Sequence, residues 1–240
     1  VGDPPNYSIE LIHPSLDNNL GGSWRRSDAV GGGGSPAVTY VPLGSASWHY
    51  RKAQSEASSP MDAWRAQSFA EDATWLTSAG GAPFGYGETV DTLLSDMTPN
   101  ASAVPPVAGY SGIYLRHTFP LTGPVPGQLQ LTVFNDDGFV AWINGTEVAR
   151  FGPAAGQAVA FSDFAGRNHE YPAADVVTIS TPNAILNPGT PAAPAQNVLT
   201  IHALNANFTS SDFYIDASLA FAGNTGSAAP SPRAPNTVLS

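Results

Sequence analysis

The chain has 240 residues, of which 24 are glycine and 22 proline, with 12% charged residues and a net charge of −10. The chain has only nine Lys and Arg residues, of which Lys52 is the single lysine. This scarcity argues against nucleic-acid binding, which needs clustered Lys and Arg to displace counterions. Without cysteine there is no disulfide framework, thiolate metal site or cysteine nucleophile. No apolar run approaches the roughly 18 residues that cross a bilayer, so we expect no membrane insertion.

The N-terminal part of the chain predicts one strand followed by a linker. Tyr7–His13 alternates enough to form a strand, whereas Gly31–Pro36 has the composition of a flexible linker, natural or engineered. We therefore predict that residues 1–36 are an N-terminal strand and a Gly-rich linker, the remnant of a preceding domain. At the other end, residues 223–240 are rich in Ser, Ala and Pro and predict a spacer.

Between these ends, short runs of β-forming residues are separated by Gly, Pro, Asn and Asp. In Gln128–Val133, leucines and a valine alternate strictly with polar residues, which is typical of a half-buried strand. Asp212–Phe221 alternates in the same way and predicts that Tyr214 and Asp216 face solvent. About eight such strands predict that residues 37–222 form one all-β domain, an antiparallel β-sandwich of the jelly-roll kind.

The clearest local signal is Asn144-Gly145, which lies between the predicted strands Phe139–Ile143 and Thr146–Arg150. A two-residue type I′ turn needs positive φ at both central positions, and Asn-Gly meets that need best. We therefore predict a β-hairpin at this point.

The stretch Leu129–Arg150, with Asn135-Asp-Asp-Gly138 leading into Trp142-Ile-Asn-Gly-Thr-Glu-Val148, resembles the galactose-binding-like jelly-roll modules of large bacterial secreted and cell-surface proteins. The resemblance extends over about Val38–Phe221. It implies a galactose-binding-like fold and a place in a longer extracellular polypeptide. The segment from Ser8 to Trp24 is similar to the closing part of a lamin-tail-like domain.

Asp136 and Asp137 are adjacent carboxylates in a predicted turn, where a hard cation such as Ca²⁺ finds oxygen ligands. In the PA14 fold, which also contains an Asp-Asp-Gly element, a similar pair holds calcium that contacts sugar. The alternative is an ordinary turn, in which both side chains cap the backbone and Gly138 supplies a permissive conformation. Asp212 or Asp216 could also serve a structural calcium ion.

Aromatic side chains are the candidates for contact with a sugar ring, because their apolar faces match the C–H face of a pyranose. Most of the five tryptophans are expected in the core. The candidate exception is Trp142, which lies on the outer phase of its strand and could contact a ligand. Tyr86, Tyr110 and Tyr171 lie in loop-like regions, are expected to be exposed and are further candidates; the alternative for each is a packing residue.

We expect no enzymatic activity. The sequence contains no Gly-x-Ser-x-Gly elbow, and its five histidines have no metal-ligand spacing. His117 and His202 lie inside predicted strands and are interpreted as structural.

These features predict a non-catalytic extracellular module, secreted or on the cell surface of a bacterium, that binds a polysaccharide or other glycan. The alternative is a structural or adhesive module, or a filament subunit, in which the strand Tyr7–His13 pairs with the sheet edge of another copy or a neighbouring domain.

Overall fold

The computed structural model describes residues 9–11, 24–26 and 36–223. The chain divides into two compact units: Thr39–Phe221 is one, and the two terminal regions together are the other. No helix among the described residues has the length and apolar character needed to span a bilayer.

The terminal unit contains a small antiparallel pair of strands, β1 (Ile9–Leu11) and β2 (Trp24–Arg26). β1 lies within the predicted strand Tyr7–His13, and its partner within the chain is β2. Most of the predicted linker and all but the first residue of the predicted C-terminal spacer lie outside the described residues. Pairing of the N-terminal strand with another sheet stays a prediction.

The rest of the described chain is built almost entirely from strands joined by turns and loops. In chain order these strands are β3 (Val38–Val41), β4 (His49–Lys52), β5 (Leu76–Thr77), β6 (Phe84–Tyr86), β7 (Thr92–Leu93), β8 (Gly112–Leu121), β9 (Leu129–Asp136), β10 (Gly138–Ile143), β11 (Thr146–Phe151), β12 (Ala174–Ile179), β13 (Ala195–Leu204) and β14 (Phe213–Phe221).

The strands form two sheets. Sheet I has the order β11-β10-β13-β8-β4-β5, and sheet II has the order β12-β9-β14-β6-β7, with β3 also paired to β14. The long strands pair antiparallel, whereas the short β6–β7 pair is parallel. The predicted antiparallel β-sandwich is therefore confirmed.

The main core consists of side chains from both sheets. Leu129, Leu131 and Val133 of β9 are buried, as their alternation with polar residues predicts. The alternating residues predicted to face inward in β14 are also buried; they are Phe213, Ile215, Ala217, Leu219 and Phe221.

The outer face of β14 differs from the prediction. Tyr214 and Asp216 were expected to face solvent, but they are 7% and 6% exposed. The backbone N–H of Gly44 donates to Asp216 Oδ2 at 2.9 Å, and the ring of Tyr171 stacks on Tyr214. Loops that fold over the outer side of sheet II therefore cover positions that alternation assigns to solvent.

The hairpin at Asn144-Gly145 is confirmed. β10 and β11 pair antiparallel on either side of these residues, whose φ angles are 49° and 87°. Positive φ at both positions is the conformation for which Asn-Gly is suited.

A second apolar cluster lies on the outer face of sheet I. In β10, Phe139 and Ala141 belong to the main core, whereas Val140 and Trp142 belong to the second cluster. Since successive side chains of a strand point to opposite faces, the second cluster lies behind the sheet. Trp64, which belongs to the loop between β4 and β5, is part of this cluster and covers the sheet there.

Candidate functional site

The two adjacent aspartates lie where the chain passes from one sheet to the other. Asp136 is the last residue of β9 in sheet II, and Gly138 is the first of β10 in sheet I. A Cβ at Gly138 would lie 2.8 Å from the carbonyl oxygen of Phe151 and 2.9 Å from Ala165 Cβ. Glycine is therefore required here by close packing, and the passage holds Asp136 and Asp137 in a fixed place.

Asp137 links two loops through its carboxylate. Its Oδ1 accepts a hydrogen bond from the backbone N–H of His169 at 3.0 Å, and its Oδ2 accepts one from Ala206 N–H at 2.5 Å. Its carbonyl oxygen accepts a hydrogen bond from Arg167 Nε at 2.9 Å. Hydrogen bonds to a charged acceptor are strong, so Asp137 fixes the positions of both loops at this end of the sandwich.

Asp136 has the opposite character, because one of its carboxylate oxygens has no partner. The residue is 2% exposed, and no described group donates a hydrogen bond to its buried Oδ2. Burial raises the pKa of Asp136 to about 7, with further contributions from Asp137, Asp212 and Glu170. An ionised carboxylate in this position needs a positive charge nearby to offset the loss of water.

Two further carboxylates converge on Asp136. Single oxygens of Asp136, Glu170 and Asp212 all lie within 4.8 Å of one another. Glu170 is exposed in the loop before β12, and half-buried Asp212 immediately precedes β14. Oxygens that share a calcium ion at 2.3–2.6 Å lie about this close together. Asp136, Glu170 and Asp212, which we call the acidic triad, therefore fit a hard divalent cation, and Asp136 is the buried member of the triad.

The structure therefore changes which residues the predicted metal site contains. Of the predicted pair, Asp136 belongs to the triad, whereas both carboxylate oxygens of Asp137 already accept backbone hydrogen bonds. Asp212, considered only as a further possibility from the sequence, belongs to the triad, and Asp216 does not. Glu170 was not predicted, because no spacing relates it to a position 34 residues earlier in the chain.

Trp142 does not have the exposed position expected of it. Its side chain does lie on the outer phase of β10, but it is 2% exposed. The ring packs edge-on against Trp64 at a centroid distance of 5.6 Å, and the Arg65 guanidinium lies 4.0 Å from its centroid. Because this loop covers it, Trp142 is not available as a stacking surface.

Tyr110 is also buried, at 3% exposure, and donates a hydrogen bond from its hydroxyl to Asp96 Oδ1 at 2.8 Å. Burial raises the pKa of its hydroxyl. It still lines a surface pocket of about 250 Å³ together with Phe161, Phe208 and neighbouring loop residues.

Tyr86, the third predicted ligand-binding residue, lies at the loop that carries Asp212. Its hydroxyl donates to the carbonyl oxygen of Ser210 at 3.2 Å and accepts from Asn205 Nδ2 at 2.9 Å. The ring is half-buried, and burial raises the pKa of its hydroxyl. Tyr86 therefore supports the position of the loop that carries Asp212.

Ser45 and His117 are in contact but lack the geometry of a catalytic pair. Ser45 Oγ lies 2.8 Å from His117 Nε2, and both residues are buried. No described group bonds His117 Nδ1, so no carboxylate orients the imidazole as in a Ser-His-Asp arrangement. Burial lowers the pKa of His117 to about 4 and that of His202 to about 3, so both imidazoles are neutral at pH 7.

No protein-family model matches the sequence, and no curated protein matches it. Among solved structures, the chain is similar to part of Bacteroides uniformis beta-glucuronidase 2 bound to cyclophellitol-6-carboxylate aziridine, with a TM-score of 0.42, 14% identity and coverage of 77% of this chain and 18% of the other. A calcium binding mutant of the same enzyme has a TM-score of 0.39 and 13% identity, and the match covers 77% of this chain and 18% of the other. A b-glucuronidase from Ruminococcus gnavus has a TM-score of 0.41 and 8% identity, and the match covers 78% of this chain and 29% of the other.

The chain thus spans less than a third of the length of these enzymes. At identities of 8–14% and TM-scores of 0.39–0.42, the likeness shows nothing about what this chain binds or does. The function of this chain has to be argued from its own residues.

Proposed function

We propose that the sandwich is a non-catalytic carbohydrate-binding module that holds its ligand through a calcium ion at Asp136, Glu170 and Asp212. The observation that carries the proposal is the carboxylate of buried Asp136: its Oδ2 has no hydrogen-bond partner among the described groups, and one of its oxygens lies within 4.8 Å of oxygens of Glu170 and Asp212. A cation there gives the buried Asp136 carboxylate a partner and neutralises charges that otherwise repel one another.

The donor set favours calcium over other divalent cations. All three side chains offer carboxylate oxygens, whereas zinc and copper sites draw mainly on imidazole and thiolate ligands. The three carboxylates come from separate segments around β9, β12 and β14, and such a set adapts more readily to the variable geometry of calcium than to the strict octahedron of magnesium.

The exposure of Glu170 favours a ligand that reaches the cation from solvent. Calcium takes six to eight oxygen ligands, so three carboxylates leave positions for further oxygens. Adjacent hydroxyl groups of a sugar are suitable neutral donors for those positions. Tyr86 supports the position of the loop that carries Asp212.

A secreted or cell-surface location is part of the same proposal. Extracellular modules bind calcium with dissociation constants of about 10⁻⁴ to 10⁻³ M, an affinity that suits a site with one exposed ligand. The proposal agrees with the resemblance of Leu129–Arg150 to galactose-binding-like modules of bacterial surface proteins.

Calorimetry with Asp136→Asn tests the cation site. We expect the wild-type chain to bind one Ca²⁺ ion, and the variant to bind it at least about tenfold more weakly because a buried charged ligand is lost. Asp62→Asn is the matched control, since Asp62 is an exposed carboxylate at a short helical turn outside the triad. Equal affinity in Asp136→Asn and wild type would contradict the assignment.

The sugar ligand is tested on a panel of immobilised neutral, uronic and sulfated oligosaccharides, with calcium or with a chelator. We expect retention on at least one of them in calcium and its loss in chelator. Binding that persists in chelator, or no retention on the whole panel by a folded, calcium-loaded chain, would overturn the proposal.

A further inference from the structure

An aromatic stack lies directly beside the acidic triad. Tyr171 follows Glu170 in the chain, and its ring is stacked on that of Tyr214 with a centroid distance of 4.0 Å and an interplanar angle of 25°. Phe134 completes the group, edge-on to Tyr171 at 6.3 Å. These three rings belong to neither apolar core cluster.

The strand register relates the stack to the triad. Tyr214 of β14 is paired directly with Asp136 of β9. Opposed residues of an antiparallel pair point to the same face, with Cβ atoms about 5 Å apart. The ring of Tyr171, which lies over Tyr214, is therefore on the same side of sheet II as Asp136.

The stack also fixes the orientation of the outer ring. Tyr214 is 7% exposed because Tyr171 lies against it, whereas Tyr171 itself is only half-buried. A ring held in this way loses little conformational freedom when a ligand binds, which favours affinity. The ring of Tyr171 packs on Tyr214 but lies outside both core clusters.

We propose that Tyr171 is the stacking residue of the sugar site, with one pyranose ring lying against it while two adjacent hydroxyl groups of the same sugar bind the cation. This inference rests on the proposed function. Its ligand is a neutral pyranoside with a free C–H face, since the apolar face of such a ring matches an aromatic side chain. Tyr214 acts through Tyr171 and is a positioning residue.

Charge favours a neutral ligand over an anionic one. The three carboxylates exceed the charge of one divalent cation by one negative charge, and Glu88 contributes further negative potential at Asp136. Uronic and sulfated sugars are therefore repelled at this site, whereas neutral hydroxyl groups are not.

Three substitutions at Tyr171 test the inference by calorimetry with the neutral oligosaccharide that the wild-type chain retains most strongly in calcium. Tyr171→Ala removes the ring and should weaken sugar binding about tenfold. Tyr171→Leu keeps Tyr214 covered while removing the aromatic face, and it should weaken sugar binding similarly. Tyr171→Phe keeps the ring and should bind within about twofold of wild type. All three should bind calcium as wild type does.

The outcomes separate this inference from the proposed function. If the wild-type chain retains no sugar in calcium, the proposed function fails. If it retains a neutral sugar and Tyr171→Ala and Tyr171→Leu bind that sugar as wild type does, or if they lose calcium binding together with sugar binding, the stacking role alone is overturned. Tighter binding of a uronic or sulfated sugar than of every neutral sugar would overturn the assignment of ligand class.

Discussion

Burial determines the protonation state of His117. His117 is 5% exposed and lies 2.8 Å from Ser45 Oγ through its Nε2. Burial lowers the pKa of His117 to about 4, with a smaller contribution from His49. In an unfolded chain the imidazole has a pKa of about 6.5. Between these two values the unfolded chain binds a proton that the folded chain does not.

The first prediction follows from this difference. The stabilising contribution of neutral His117 is complete above pH 6.5 and is lost as the pH falls towards 4, by up to about 3 kcal/mol. Urea unfolding of wild type and His117→Gln at pH 7.0 and pH 4.5 measures this. We expect the variant to be less stable at pH 7.0 but to lose less stability on acidification.

The comparison with the variant isolates His117 from groups that act in the opposite direction. Burial raises the pKa of Asp216 to about 6, so its contribution to stability increases as the pH falls towards 3.8. Asp216 is present in both chains and its contribution cancels. Equal loss of stability in both chains between the two pH values would contradict a neutral buried His117.

Among the elements, the β10–β11 hairpin depends on a backbone conformation more than on contacts. Gly145 has a φ of 87°, and a Cβ there would meet no atom within 4 Å. Gly145→Ala therefore changes only the backbone strain, and we expect it to lower the free energy of unfolding by about 1 kcal/mol, measured by urea denaturation.

Gly123→Ala is the matched control for this substitution. Gly123 also has open space around its Cβ position, but its φ lies outside the left-handed region. Alanine should be neutral or slightly stabilising there, because it reduces the freedom of the unfolded chain. If both variants lose the same stability, positive φ is not what makes Gly145 necessary.

At the scale of the whole molecule, the acidic triad joins segments that lie far apart in the chain. Asp136 ends β9, Glu170 precedes β12 and Asp212 precedes β14. A cation bound only by the folded arrangement shifts the unfolding equilibrium by mass action. At a calcium concentration 100 times the dissociation constant, the stabilisation is about 2.7 kcal/mol.

We therefore expect calcium to raise the Tm of the wild-type chain by about 5–10 °C in calorimetric scans. Asp136→Asn should lose about half of this response or more, while matching or exceeding the wild-type Tm in chelator, because a buried, unpartnered charge is removed. A calcium response of full size in the variant, or a variant much less stable than wild type in chelator, would contradict the role of Asp136.

The fold was predictable from local patterns. Alternation in β9 and β14 assigned the core faces of both strands correctly, and Asn144-Gly145 predicted the hairpin, because both signals depend only on neighbouring residues. The same alternation was wrong about the outer face of β14, where Tyr171 covers Tyr214. Strand periodicity indicates which residues share a face, but not what lies over that face.

The sequence by itself therefore determined the two-layer β architecture and indicated Asp136 as a candidate cation ligand. The tertiary structure decided that Asp137 bonds backbone N–H groups, that Glu170 and Asp212 approach Asp136, and that the loop carrying Trp64 covers Trp142. The physical reason is that side-chain periodicity is a local property of the chain. The meeting of loops depends on the packing of two sheets, which no short segment specifies.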